Sequence, residues 1–138
     1  MPIIWVRPWL LRRLRLLDYF SDTKEKPQNF DLILTGDLGM VGKTLLLELL
    51  EKEGLQISRQ HNDCGLMIFD INSQDVHAGG SGCGCSGSVF CSYVLQKMKN
   101  SELKRVLFIA TGALMSPTSA QQGESIPGVA HLIELESE

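Results

Sequence analysis

The chain has 138 residues, of which 43% are hydrophobic and 21% charged, and its formal net charge is −3. This length suits one domain, and the apolar content is too high and the net charge too small for a disordered chain. Four cysteines are too few for a disulfide framework. No run of about 18 apolar residues is present to cross a bilayer, and the mildly acidic balance argues against nucleic acid as a partner.

The start is a compositional outlier. Residues 1–20 carry Arg7, Arg12, Arg13 and Arg15 against Asp18, whereas the remainder is net acidic. Two readings fit: a basic amphipathic helix lying on an anionic membrane, or a packing helix with a ragged terminus. Leu10, Leu14 and Leu17 share a helical face that Arg13 interrupts. The segment makes a poor secretory signal, because arginines break its apolar run and no small-residue cleavage site follows. After the polar stretch Ser21–Asn29, Asp31–Thr35 predicts a short buried strand, Gly36–Gly39 a glycine turn, and Val41–Glu53 a leucine-rich helix stopped at Gly54. Leu66–Asp70 predicts a second short strand. Residues 72–88 are small and polar, and Val89–Lys99 predicts a helix with Phe90, Tyr93, Val94 and Met98 on one side. Arg105–Ala110 predicts a buried strand, Thr111–Gly128 a loop, and Val129–Leu135 a last strand. Alternating strands and helices predict an α/β fold, a sheet covered by helices.

The stretch from Leu32 to Leu50 has the order strand, glycine loop, helix, with Gly42-Lys43-Thr44 inside it. A phosphate loop uses that order: backbone N–H groups cradle the phosphates, lysine reaches the terminal ones and threonine holds magnesium. The spacing disagrees. The first glycine of the motif falls at Asp37, with Gly36 one residue too far, and a carboxylate is adverse where phosphates should sit. Asp70 at the end of an apolar run imitates the magnesium-binding aspartate of such enzymes. Nucleotide hydrolysis therefore stands as an alternative beside a plain tight turn.

The cysteines lack the paired Cys-x2-Cys spacing of zinc ribbons, although His77, Cys83, Cys85 and Cys91 are near in sequence. Such cysteines are more often small buried side chains at a helix start, in keeping with a reducing compartment, and no metal is expected. The informative feature is Gly79-Gly-Ser-Gly-Cys-Gly-Cys-Ser-Gly87, which leads into a helix. Glycine at this density implies positive φ or close backbone approach. A helix start offers unpaired N–H groups and partial positive charge. A ligand site with backbone donors and a crowded helix–sheet junction are both open readings.

The runs from Asp31 to Leu50, His61 to Asp70, Gln74 to Ser86 and Leu107 to His131 together resemble the stage V sporulation protein AD family. The resemblance covers about residues 18–135 and implies a thiolase-like fold from spore-forming Firmicutes. Residues 1–17 do not share it, and family proteins are more than twice as long. The chain thus resembles a C-terminal half-domain, residues 18–138, behind an atypical N-terminal segment, with a mixed β-sheet covered by helices.

The resemblance also implies a function: a non-catalytic protein that binds dipicolinic acid, as its calcium chelate, and aids its uptake into the developing spore. It implies partnership with the other SpoVA membrane proteins and a peripheral place at the spore inner membrane. Thiolases and condensing enzymes use His, Asn or Cys in this half. The corresponding positions here are Gly36 or Asp37, neither of them His, then Ser81, a poor base near neutral pH, and Ala110, which does no acid–base work. No catalytic residue and no cofactor are expected. The candidate ligand contacts are Gly80, Ser81, Gly82, Thr111 and Gly112, with His77 as a polar partner and Asp37 as one only through calcium or water. A residual acyltransferase, a phosphate-loop hydrolase and an inert truncated fragment are the alternatives. A half-fold exposes the apolar face that would meet its twin, which predicts self-association.

Overall fold

A computed structural model describes residues 8–113, 117–122 and 128–137 of the chain. Helix α1 (Pro8–Thr23) is followed by a short 3-10 turn, Pro27–Asn29. Then come β1 (Leu32–Thr35), α2 (Gly39–Lys52), β2 (His61–Asp63) and the single-turn α3 (Cys64–Met67). Helix α4 runs through Cys85–Val89, a π-helical turn at Phe90–Val94, and Leu95–Lys99. Strand β3 (Arg105–Ala113), the short α5 (Pro117–Gln121) and β4 (Gly128–Glu136) complete the order.

The four strands form one sheet in the order β2-β1-β3-β4. β1 runs parallel to both β2 and β3, and β4 runs antiparallel to β3, so the sheet is mixed. Alternating side chains send the core to both faces. Ile33, Leu107 and Ile109 pack on one face with Leu16 and Phe20 of α1 and Leu46 and Leu50 of α2. Leu34 and Val106 pack on the other with Val89, Val94 and Met98 of α4. A strand buried on both faces reads as an unbroken apolar run, which is why β1 is legible in the sequence.

α2 begins two residues before its expected start, at Gly39, and ends at Lys52 with Glu53 as its C-cap, Gly54 following at φ +79°. The buried pair Leu46 and Leu50 is spaced i, i+4, and each side chain contributes about 1.5–3 kcal/mol. In the described part of α1, Leu16 and Phe20 are buried and Leu17 packs half-buried against the same core; the side chains of Leu10 and Leu14, the rest of the expected row, lie outside the described residues. Arg13 reaches the Glu53 carboxylate beyond α2. The described part of α1 is therefore a packing helix, and it runs on past residue 17, where the expected atypical segment ends, without a break.

Two expectations need correction. Leu66–Asp70 is not a strand. The second strand is His61–Asp63, and the chain turns at once into α3 because the Asp63 carboxylate accepts the Gly65 N–H. Ile68 and Phe69 of the expected strand are exposed. The expected loop from Thr111 is likewise shorter: Thr111, Gly112 and Ala113 continue β3, opposite Ala130, Val129 and Gly128.

At the far end of the sheet Arg105 gathers the elements. Its guanidinium binds Glu134 of β4 and Glu25, and stacks 4.7 Å from the Phe30 ring. Tyr19 of α1 donates to Glu134 at 2.6 Å. The Tyr19 hydroxyl first and the Arg105 guanidinium second hold the Glu134 carboxyl below its ordinary range. Asp31 is held low by the backbone N–H groups of Arg105 and Lys104, which tie the start of β1 to β3.

Candidate functional site

The carboxyl ends of β1 and β2 meet at a buried carboxylate. Asp63 is fully buried. Its Oδ1 accepts the N–H groups of Gly39 at 2.9 Å and Gly65 at 3.0 Å. Its Oδ2 accepts the Leu38 N–H at 2.9 Å and the Thr35 hydroxyl at 2.5 Å. Four donors nearly fill the acceptor capacity of one carboxylate. The Thr35 hydrogen is committed to Asp63, so His61 Nε2, 3.1 Å from Thr35 Oγ1, carries a hydrogen and donates it to that oxygen.

This arrangement resolves the phosphate-loop alternative. The glycine turn between β1 and α2 does form an anion nest, with Gly39 at φ +65° and two backbone N–H groups converging. The anion in it is the chain's own Asp63. Lys43, the residue that would reach the terminal phosphates, turns instead toward the His61 carbonyl oxygen, 3.5 Å away. Asp70 is exposed and accepts from Ser73 and Asn72 within its own turn, where it serves no magnesium site beside the nest.

The glycine loop lies against this junction. The Gly80 N–H donates to the Gly65 carbonyl at 2.6 Å, and the Met40 N–H donates to the Ala78 carbonyl at 2.7 Å. A Cβ on Gly39 would meet the Ala78 oxygen at 2.6 Å, one on Gly79 the Gly65 oxygen at 2.5 Å, and one on Gly80 the Ile68 side chain at 2.6 Å. At Gly39 and Gly79 glycine is required because backbone approaches backbone, and at Gly80 because the Ile68 and Phe69 side chains fill the space. Beyond it the surroundings change. Cβ atoms at Gly82, Gly84 and Gly87 would meet nothing within 4 Å, although Gly82 keeps a positive φ of +109°. The glycine run thus divides into a crowded junction at residues 79–80 and open backbone from residue 82.

The expected contacts distribute as follows. Asp37, Ser81 and Gly82 come together: the Asp37 carboxylate accepts the Gly82 N–H at 3.2 Å and the Ser81 hydroxyl at 3.5 Å. Gly80 is beside them but buried, with its N–H already engaged. His77 is exposed at φ +50°, and its imidazole faces Asp75 at 3.8 Å rather than Asp37. Thr111 and Gly112 lie in β3 against β4, at the carboxyl end of the strand that runs parallel to β1. Ala110 is half-buried opposite His131. α4 starts directly after the loop, and no side chain caps its first turn. Burial first, then Asp37 and Asp63, pushes the Cys85 thiol up, away from thiolate reactivity. Among the described residues no three His, Cys, Asp or Glu side chains gather as a metal site.

Sequence reasoning misses Thr35, His61 and Asp63. One signal was available, an aspartate two residues before a glycine at a chain reversal, which is a helix-capping pattern. A separate groove of about 450 Å³ lies between α3 and α4, lined by Asn62, Met67, Ile68, Ser88 and Tyr93 among others. None of the expected contacts lines it.

The class defined by this geometry is an α/β unit with a mixed four-stranded sheet, helices on both faces, and a glycine loop over the carboxyl ends of its parallel strands. Residues 15–136 match the family model described as stage V sporulation protein AD, and the chain belongs to that family. It is 43% identical over 118 residues to stage V sporulation protein AD of Bacillus subtilis (strain 168), across 86% of this chain and 35% of the relative. The chain spans about a third of the length of that relative. Membership supports a role in sporulation. No helix among the described residues is long and apolar enough to cross a membrane.

Proposed function

We propose that the chain is part of a non-catalytic dipicolinic acid binding protein that aids uptake of this compound into the developing spore. The observation that carries the reading is the open half of the glycine loop, where the Ser81 hydroxyl and the uncapped start of α4 sit beside Asp37. Helix N–H groups and a hydroxyl suit the carboxylates of dipicolinate. Asp37 repels a bare dicarboxylate but suits its calcium chelate, so the chelate is the preferred form. Thr111 and Gly112 at the end of β3, and His77 at the loop's outer side, are the remaining contacts; Gly80 supports the loop from beneath. Catalysis has little support in these residues: Ser81 is a poor base, Ala110 is inert, and the Cys85 thiol is held protonated. The SpoVA membrane proteins are the proposed partners, at the periphery of the spore inner membrane.

Calorimetry tests the site. Dipicolinate with equimolar Ca2+ is titrated into this chain and into the full-length relative, and then into Ser81→Trp and Gly82→Val variants. Binding that weakens about tenfold or more in the bulky variants is the expected result. Unchanged affinity in both contradicts the placement of the site.

A further inference from the structure

The β4 edge of the described sheet points to a homodimer. β4 closes the sheet order, and among the described residues it pairs on one side only, with β3. The direction of its backbone groups follows from one bond. The Ser137 N–H donates to the Lys104 carbonyl at 2.8 Å, so this residue faces β3. In an antiparallel ladder successive residues alternate. Leu135, Ile133, His131 and Val129 therefore also face β3, while Gly128, Ala130, Leu132, Glu134 and Glu136 present their N–H and C=O groups outward. The register with β3 is one to one from residue 128 to residue 136, so no bulge twists this edge away. The strand GVAHLIELE holds no lysine and no proline, the usual guards of an exposed edge. Val129 and Ile133 on its outer face are 51% and 49% exposed.

We propose that two copies of this chain pair antiparallel through β4, about a twofold axis at Leu132. This register sets outward residues against outward residues: Leu132 faces its own copy, Ala130 faces Glu134, and Gly128 faces Glu136. Five such pairs form about ten inter-strand hydrogen bonds. On the exposed face Val129 lies across from Leu135 and Ile133 across from His131, so the apolar residues gain cross-strand neighbours. Charge selects this direction. A parallel pairing in register stacks Glu134 on Glu134 and Glu136 on Glu136, whereas the antiparallel one keeps every acid opposite a small uncharged residue. The neighbouring helix agrees. Arg15, Asp18 and Asp22 of α1 border β4 beside Ala130–Leu132. The twofold axis sets the two α1 helices antiparallel, bringing Arg15 of one copy toward the acids of the other. The inference is independent of the ligand reading.

Sedimentation velocity of the full 138-residue chain over about 1–200 μM is the test. The wild type is expected to reach a discrete dimer. Ile133→Lys is expected to weaken it by about tenfold or more, by placing a cation against His131 of the second copy. The double variant His131→Glu with Ile133→Lys restores a complementary pair and is expected to recover the dimer. If Ile133→Lys loses its circular dichroism signature, Gly128→Glu replaces it, since its carboxylate meets Glu136 across the same register. A wild-type monomer throughout the range overturns the proposal. So does a dimer unaffected by these variants, or larger assemblies indifferent to them, which place association on another face.

Discussion

Two helices in this chain begin directly after glycine-rich turns, and they differ in what meets their first N–H groups. At α2 the nest is filled from within: Asp63 takes the N–H groups of Leu38 and Gly39, and also binds Thr35 and Gly65. At α4 no side chain caps the start, and Gly82, Gly84 and Gly87 face open space. The local physics is the same, an N-terminal partial positive charge, although the first N–H of α4, that of Cys85, donates to the Gly82 carbonyl at 3.2 Å. Where the chain supplies its own anion, the motif becomes a structural joint. Where it does not, the helix start is left without a side-chain acceptor, which is the feature the proposed ligand reading uses.

The most severe way to break this contrast is Asp63→Ala. It leaves three backbone N–H groups and the Thr35 hydroxyl buried without their acceptor, at a cost of about 3–5 kcal/mol. Urea unfolding is expected to show an unfolding free energy lower by that amount, and a loss under about 1 kcal/mol would contradict the joint. Gly65→Ala comes next. Its Cβ presses on the Gly80 carbonyl and on Oδ1 of Asp63 at 2.9 Å, and about 2–3 kcal/mol is expected in the same assay. Gly84→Ala is the counterpart at the open helix. Its Cβ meets no atom, so stability is expected within about 0.5 kcal/mol of wild type while binding of the calcium chelate changes.

Acid loosens a third region, away from both helix starts. Glu134 and Asp31 are held below their ordinary values of 4.5 and 3.8. Carboxyls lowered in the folded state contribute stability that is complete above those values and is lost as the pH falls through the lower folded ones. Thermal unfolding is expected to show a plateau above about pH 5 and a declining melting temperature below about pH 4. In Arg105→Gln the decline is expected to be shallower, because one of the two groups that depress Glu134 is gone.

The sequence makes the packed elements legible and hides the joint, for one physical reason. β1 and α2 announce themselves through apolar spacing and a terminal glycine. β2 does not, because His61 and Asp63, two of its three residues, are polar groups buried for hydrogen bonding rather than for hydrophobic contact. The apolar run at Leu66–Asp70 therefore takes the eye, although its Ile68 and Phe69 remain exposed. The same holds for the site. Asp37, Ser81 and Gly82 are candidates through the family resemblance, and they do meet. That Gly80 has already spent its N–H on Gly65 is a matter of tertiary approach, beyond the reach of any local pattern.

The contrast between the two helix starts is tested most directly by backbone amide resonances of the 15N-labelled chain during titration with calcium dipicolinate. Saturable shifts are expected at Ser81, Gly82 and the first turn of α4, with Leu38 and Gly39 unmoved. Shifts centred on Leu38 and Gly39, or none that saturate near Ser81, would contradict it.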